Sequence, residues 1–172
     1  LWVMGTDAIY NKGLYAALNA CSFVSTKDLA KELTKPFEYM MDMSMLGCGV
    51  GFDVKGAGQL LIRKPKGDFQ YKIPDTREGW VESLKFLLEA YFIGSSLPVF
   101  DYSLLRKKGE LIKTFGGKSS GPEPLIKLHK QIIDNFSKRI GDKITATDIT
   151  DIMNQIGCCV VAGNVRRSAQ IA

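Results

Sequence analysis

A few short stretches of this chain carry groups able to do chemistry. Cys21 lies in Leu18-Asn19-Ala20-Cys21-Ser22-Phe23-Val24, an apolar run that reads as a strand. A cysteine there is either a small buried hydrophobe or a redox thiol. Gly47, Gly49 and Gly51 read either as a tight helix-to-strand turn or as backbone kept bare for close approach of a nucleotide. Phe115-Gly116-Gly117-Lys118-Ser119-Ser120-Gly121-Pro122 offers open backbone N–H groups, two hydroxyls and an ammonium, the donors an anion wants, although loop solubility alone would account for it. Ala162-Gly163-Asn164-Val165-Arg166-Arg167-Ser168 joins a flexible glycine to two guanidinium groups that can grip a phosphate or a base edge; its plainer reading is a solvated surface.

Familiar patterns fail on inspection. A Walker loop ending at Gly117-Lys118-Ser119 needs glycine where Ile112 stands, and a dinucleotide fingerprint starting at Gly47 needs glycine where Phe52 stands. The cysteines are Cys21, Cys48, Cys158 and Cys159, too few for a disulfide scaffold and without C-x-x-C spacing. With His129 the sole histidine, no Cys/His zinc site is expected. Cys158 and Cys159 sit at a predicted helix end before Val160-Val161, so burial is expected for both.

The chain has 172 residues, 45% hydrophobic and 24% charged, an ordinary globular mix. Its net charge of +5 and pI near 9.0 favour anionic partners without choosing among them. A nucleic-acid binder is disfavoured, because the basic residues scatter among loops without interleaved aromatic rings. No run nears the roughly 18 apolar residues that cross a bilayer, and no secretory signal is visible, so the expectation is no membrane and a cytoplasmic location. The chain opens on Leu1 and stops at Ala172 just after the arginine pair, which reads as a fragment.

These groups must be held by alternating helices and strands. Helices are expected at 26–33 with a Ser25/Asp28 cap, at 36–46 with Pro36 in the first turn and Gly47 at the end, and at 76–93 behind Asp75 or Thr76. Further helices are expected from Pro122 to about Ile140, and from Thr145 with Asp148 as capping partner. The methionines Met40, Met41, Met43 and Met45 read as core filling. Strands are expected at 21–24, 50–54 and 97–102, which gives an α/β layer or barrel.

Taken together, Gly5-Thr6-Asp7, Asn19 to Val24, Gly47-Cys48-Gly49-Val50-Gly51-Phe52, Ile73-Pro74-Asp75-Thr76-Arg77-Glu78-Gly79-Trp80, the Phe115 to Pro122 loop and Ala162 to Ala169 resemble the catalytic chain of ribonucleotide reductases. They are most similar to the adenosylcobalamin-dependent (class II) ribonucleoside-triphosphate reductases. The resemblance implies an α/β fold, a partial ten-stranded α/β barrel of the ribonucleotide reductase type, with residues 1–172 supplying much of its first half as a single incomplete domain. It implies replacement of the ribose 2′-hydroxyl by hydrogen. In such enzymes a cobalt–carbon bond breaks homolytically, a thiyl radical takes the 3′-hydrogen, and two further cysteines deliver reducing equivalents.

By that resemblance Cys21 is the first of the reducing pair and Asn19 and Ala20 are substrate neighbours. Gly49 to Leu60 and the helix after Asp75 resemble the effector region, and Gly163 to Ser168 the loop coupling effector to substrate choice. Nucleotide or effector contacts are thus expected at Gly49, Gly51, Gly116, Gly117, Lys118, Ser119, Gly163, Asn164, Arg166, Arg167 and Ser168. The implied partners are a ribonucleotide substrate, a deoxynucleotide effector, a thioredoxin-like reductant and the remainder of the catalytic chain, with adenosylcobalamin bound mainly outside this chain. The family's radical cysteine sits in N-x-C-x-E; here Asn19-Ala20-Cys21 is followed by Phe23 in place of glutamate, so that segment is absent and the chain alone is expected to be inactive. The rivals are a reductase drawing its radical from a separate metal subunit and a non-catalytic nucleotide-binding regulatory module.

Overall fold

The computed structural model describes residues 11, 20–111, 118–162 and 169–172, and in them strands alternate with helices. Strand β1 (Cys21–Val24) leads through a short helix α1 (Leu29–Glu32) and helix α2 (Lys35–Met45) to strand β2 (Gly49–Phe52). Strand β3 (Asp68–Lys72), helix α3 (Arg77–Phe92) and strand β4 (Leu97–Asp101) repeat that order. Helices α4 (Glu123–Ser137) and α5 (Ala146–Val161) then precede strand β5 (Gln170–Ile171). One sheet has the order β1-β2-β5 and the other pairs β3 with β4, every pair parallel. Parallel neighbours need a crossover, and the intervening helices provide it. The α/β class expected from the sequence is what the chain adopts.

Local chemistry sets the helix ends. Thr76 accepts a hydrogen bond from the Gly79 N–H at 3.0 Å and opens α3. Thr145 and Asp148 form the reciprocal capping box that opens α5. Helix α2 closes at Gly47, whose φ of +87° suits a residue without Cβ; the Gly47 and Cys48 N–H groups bond back to Ser44 and Met43 carbonyls. Helix α2 packs against α3 and α5, and α4 against α5 and α3, so the helices share one apolar interior. Met40, Met41, Met43 and Met45 are buried in it, as core filling requires. Each such side chain withdrawn from water stabilises the fold by roughly 1.5–3 kcal/mol.

Several boundaries differ from expectation. The first helix is only Leu29–Glu32, and Asp28 makes no side-chain cap, because Ser25 donates instead to Asp53 across the sheet end. Helix α4 stops at Ser137 rather than near Ile140, β2 ends at Phe52 and β4 at Asp101. Strands β3 and β5 carried no expectation: β3 alternates exposed polar residues with half-buried rings, and β5 is two residues long.

Candidate functional site

Alternation along a strand sends neighbouring side chains to opposite faces, and parallel register aligns the faces of paired strands. Cys21 pairs with Gly49, Phe23 with Gly51, and Gly51 with Ile171, so these residues share the outer face of the β1-β2-β5 sheet. The inner face carries Val24, Val50 and Phe52, directed at the helices. Ser22 shares that face, and its Oγ is buried with no hydrogen-bond partner among the described residues.

The outer face is open. Cys21 is exposed, Phe23 is 61% exposed and Ile171 72%, an unusual state for large apolar side chains on a sheet. Glycine keeps its floor low: a Cβ at Gly51 would lie 3.0 Å from the Phe23 ring and 3.4 Å from Ile171 Cγ2. The backbone here is fully engaged in pairing, since the Gly49 N–H donates to the Ala20 carbonyl at 2.9 Å and the Val50 N–H to the Ala169 carbonyl at 2.9 Å. A planar or sugar-like group could therefore lie against bare backbone beside a thiol.

A polar knot at the carboxyl ends of β1 and β2 holds the register. Asp53 accepts from Ser25 Oγ at 2.7 Å, from the Thr26 N–H at 2.8 Å and from Thr26 Oγ1 at 2.9 Å. Burial acts to raise the Asp53 pKa, but hydrogen bonds from Ser25, Thr26 and Lys55 outweigh it and hold the carboxyl at about 2. The Gly56 N–H closes the knot on Thr26 Oγ1. Sequence reading missed this constellation, because its partners stand 27 or 28 residues apart.

A second polar cluster lies beneath β4. His129 on α4 is buried and stacks on Phe100 with ring centroids 4.0 Å apart. Ser83 Oγ donates to the Trp80 carbonyl, so toward His129 it can only accept; Nε2 then carries the proton, and Nδ1 accepts from the Tyr102 hydroxyl at 2.9 Å. Burial pushes His129 down to about 3 and Tyr102 up to about 12. Both groups are neutral and satisfied, which is the chemistry of a structural pin. The signal was available, because His129 falls at helical spacing between Leu125, Ile132 and Phe136.

The remaining expected residues divide. Cys21, Gly49 and Gly51 meet on one sheet face, and Ala20, just ahead of β1, joins them only through its carbonyl, which accepts from the Gly49 N–H. Lys118 and Ser119 lie elsewhere: Lys118 is exposed, Ser119 exchanges backbone bonds with Gly109 and Glu110, and its hydroxyl accepts from the Gly121 N–H. Asn19, Gly116, Gly117, Gly163, Asn164, Arg166, Arg167 and Ser168 lie outside the described residues. Cys158 is exposed and only Cys159 is buried, because adjacent residues on a helix face different sides; burial, and then the neighbouring Cys158, push the Cys159 thiol up to about 12. Among the described residues, no cluster of His, Cys, Asp or Glu could hold a metal ion, and no helix is long and apolar enough to cross a membrane.

Comparison with known proteins gives a consistent picture. Residues 54–135 match the family model described as the B12-dependent ribonucleotide reductase insertion domain. The whole chain aligns with an adenosylcobalamin-dependent ribonucleoside-triphosphate reductase of Euglena gracilis at 54% identity, covering 24% of that protein. It aligns with a probable enzyme of the same name from Dictyostelium discoideum at 48% identity, covering 25% of it, and with the Lactobacillus leichmannii enzyme at 30%, covering 30%. A crystal structure of a B12-dependent (class II) ribonucleotide reductase superposes with a TM-score of 0.75 at 26% identity, over 98% of this chain and 30% of that one. The chain thus spans about a quarter to a third of the length of the proteins it matches.

Proposed function

Because the chain resembles B12-dependent ribonucleotide reductases along its whole length, we propose that it is the first part of such a catalytic chain and lends Cys21 to reduction of a ribonucleoside triphosphate. The observation that carries this reading is the thiol exposed on a sheet face floored by Gly49 and Gly51. In the reaction, the C2′–OH bond breaks and a C2′–H bond forms. The hydroxyl leaves as water, and two thiols surrender two electrons and two protons as they close a disulfide. Cys21 is one of those thiols, and its partner lies elsewhere in the complete protein. A thioredoxin-like dithiol then reopens the disulfide by exchange, which needs an attackable sulfur, and exposure of Cys21 meets that need.

The β1-β2-β5 parallel sheet supplies strands of the first half of a ten-stranded barrel in this reading, and the rest of the catalytic chain closes it. Adenosylcobalamin, required by the named relatives, supplies the initiating radical when bound. None of the described side chains is assigned to hold it. Asn19 and Ala20 border the substrate. Lys118, Ser119 and the segment with Arg166 and Arg167 contact nucleotide phosphates, a deoxynucleotide effector among them, through charge-assisted hydrogen bonds. The site of action is the cytoplasm, where deoxynucleotides are made for DNA synthesis.

Cys21→Ser in the complete enzyme tests the reading. Dithiol-supported multiple turnover is expected to fall by about a thousandfold, while effector binding, measured by equilibrium dialysis, survives. Undiminished multiple turnover in that variant would reject the role of this thiol.

A further inference from the structure

We infer that Gln170 is a positioning residue: its carboxamide, seated in the notch left by Gly157 on helix α5, sets where Ile171 walls the outer face beside Gly51. Gln170 is in register with Val50 and so turns to the inner face, among apolar neighbours, where a polar side chain needs a partner. It finds one in α5, where Nε2 donates to the Met153 carbonyl at 2.9 Å. The approach is possible only because position 157 lacks a side chain. A Cβ there would overlap the carboxamide, lying 2.5 Å from its Cδ and 2.7 Å from its Oε1.

Glycine inside a helix is unfavourable relative to alanine, yet Gly157 stands well inside α5, between buried Ile156 and the exposed Cys158. Room for Gln170 accounts for it. The clasp reaches the outer face through strand alternation. With Gln170 pinned inward, Ile171 must point outward, in register with Gly51 and 3.4 Å from where its Cβ would lie. A strand of two residues has few ladder bonds to hold it, so this side-chain anchor carries much of its placement. Cys21 lies two strands away, in the order β1-β2-β5, so the clasp bears on substrate seating and not on the thiol.

The functional end rests on the reading that this face receives the ribonucleotide; the clasp itself does not. The test uses the complete enzyme with Gln170→Ala, Gly157→Ala and the double substitution. Each single change is expected to raise KM for the ribonucleotide at least about fivefold while kcat stays within about twofold, the split expected for lost binding. The double variant should be no worse than Gln170→Ala, because the added methyl then meets no carboxamide. Hydrogen exchange of peptides spanning β2 reports the clasp independently, through the Val50 N–H bond to Ala169, and should quicken in both single variants. Unchanged exchange in both, or losses that multiply in the double variant, would overturn the clasp. Quickened exchange with KM unmoved would overturn its role in seating substrate. Quickened exchange in an otherwise intact enzyme that reduces no ribonucleotide would leave the clasp standing and sink the proposed reaction instead.

Discussion

The β1-α1-α2-β2 and β3-α3-β4 segments share one topology, parallel strands joined through helix, yet they treat their two faces differently. In the second, Phe69 and Tyr71 of β3 meet Phe86 of α3 edge-on at 5.7 and 5.0 Å, and Phe100 of β4 stacks on His129. Its outer face is mostly polar, with Asp68, Gln70, Lys72 and Asp101 alongside Leu97 and Val99, and Lys72 pairs with Asp101 at 3.8 Å. The first sheet turns an exposed thiol, two glycines and two large apolar side chains outward. Rings and a satisfied histidine serve stability. A bare floor with exposed Phe23 and Ile171 leaves apolar surface in water, and in the proposed reading the ribonucleotide covers it.

The contrast can be broken at its stable end first. His129→Ala should destabilise the fold by about 3 kcal/mol, since it opens a cavity beside Phe100 and strips partners from Ser83 and Tyr102. Denaturant titration with turnover measured alongside checks this, and a shift in KM with no change of midpoint would dissolve the division drawn here. The same residue gives a pH signature. Its folded pKa, near 3, lies below the unfolded value near 6.5, so the unfolded chain binds the extra proton. Stability is therefore full above pH 6.5 and falls as pH drops toward 3, by up to about 1.4 kcal/mol per unit. His129→Ala should flatten that slope. Asp53, also depressed, adds its own loss below the usual carboxylate value of 3.8 and completes it near 2.

Gly51→Val sharpens the other end. Valine suits a strand, so the denaturation midpoint should hold, while the raised floor against Phe23 and Ile171 should lift KM by about tenfold. An unchanged KM would mean that this face is not where substrate lies. The smallest effect belongs to Lys72→Ala on the polar outer face of β3. The exposed pair with Asp101 should be dispensable, leaving both midpoint and kinetics where they were.

Legibility in the sequence followed the range of the interaction. The Thr145/Asp148 box and the Gly47 terminus act within three to five residues and can be read directly, while the sequence narrows the cap of α3 to Asp75 or Thr76 and the structure takes Thr76. The Ser25/Asp28 pair has the same spacing but loses to Asp53, 28 residues from Ser25, which no local rule registers. A sole histidine is too few ligands for zinc, and the helical spacing of His129 with Leu125, Ile132 and Phe136 marks it as core. Cys158 and Cys159 were both expected inside, yet consecutive helix positions diverge by about 100°, and the apolar interior took only the second.

What the sequence by itself determined was the helices with strands β1, β2 and β4, the Thr145/Asp148 cap, the methionine-filled core and the family resemblance, all carried by neighbours along the chain. The tertiary structure alone decided that β3 and β5 exist, that Asp53 ties β1 to β2, and that Cys21 faces outward over glycine. A strand shows two faces of equal standing in its own sequence, and only the partners that pair beside it and the helices that pack on it choose which one stays open.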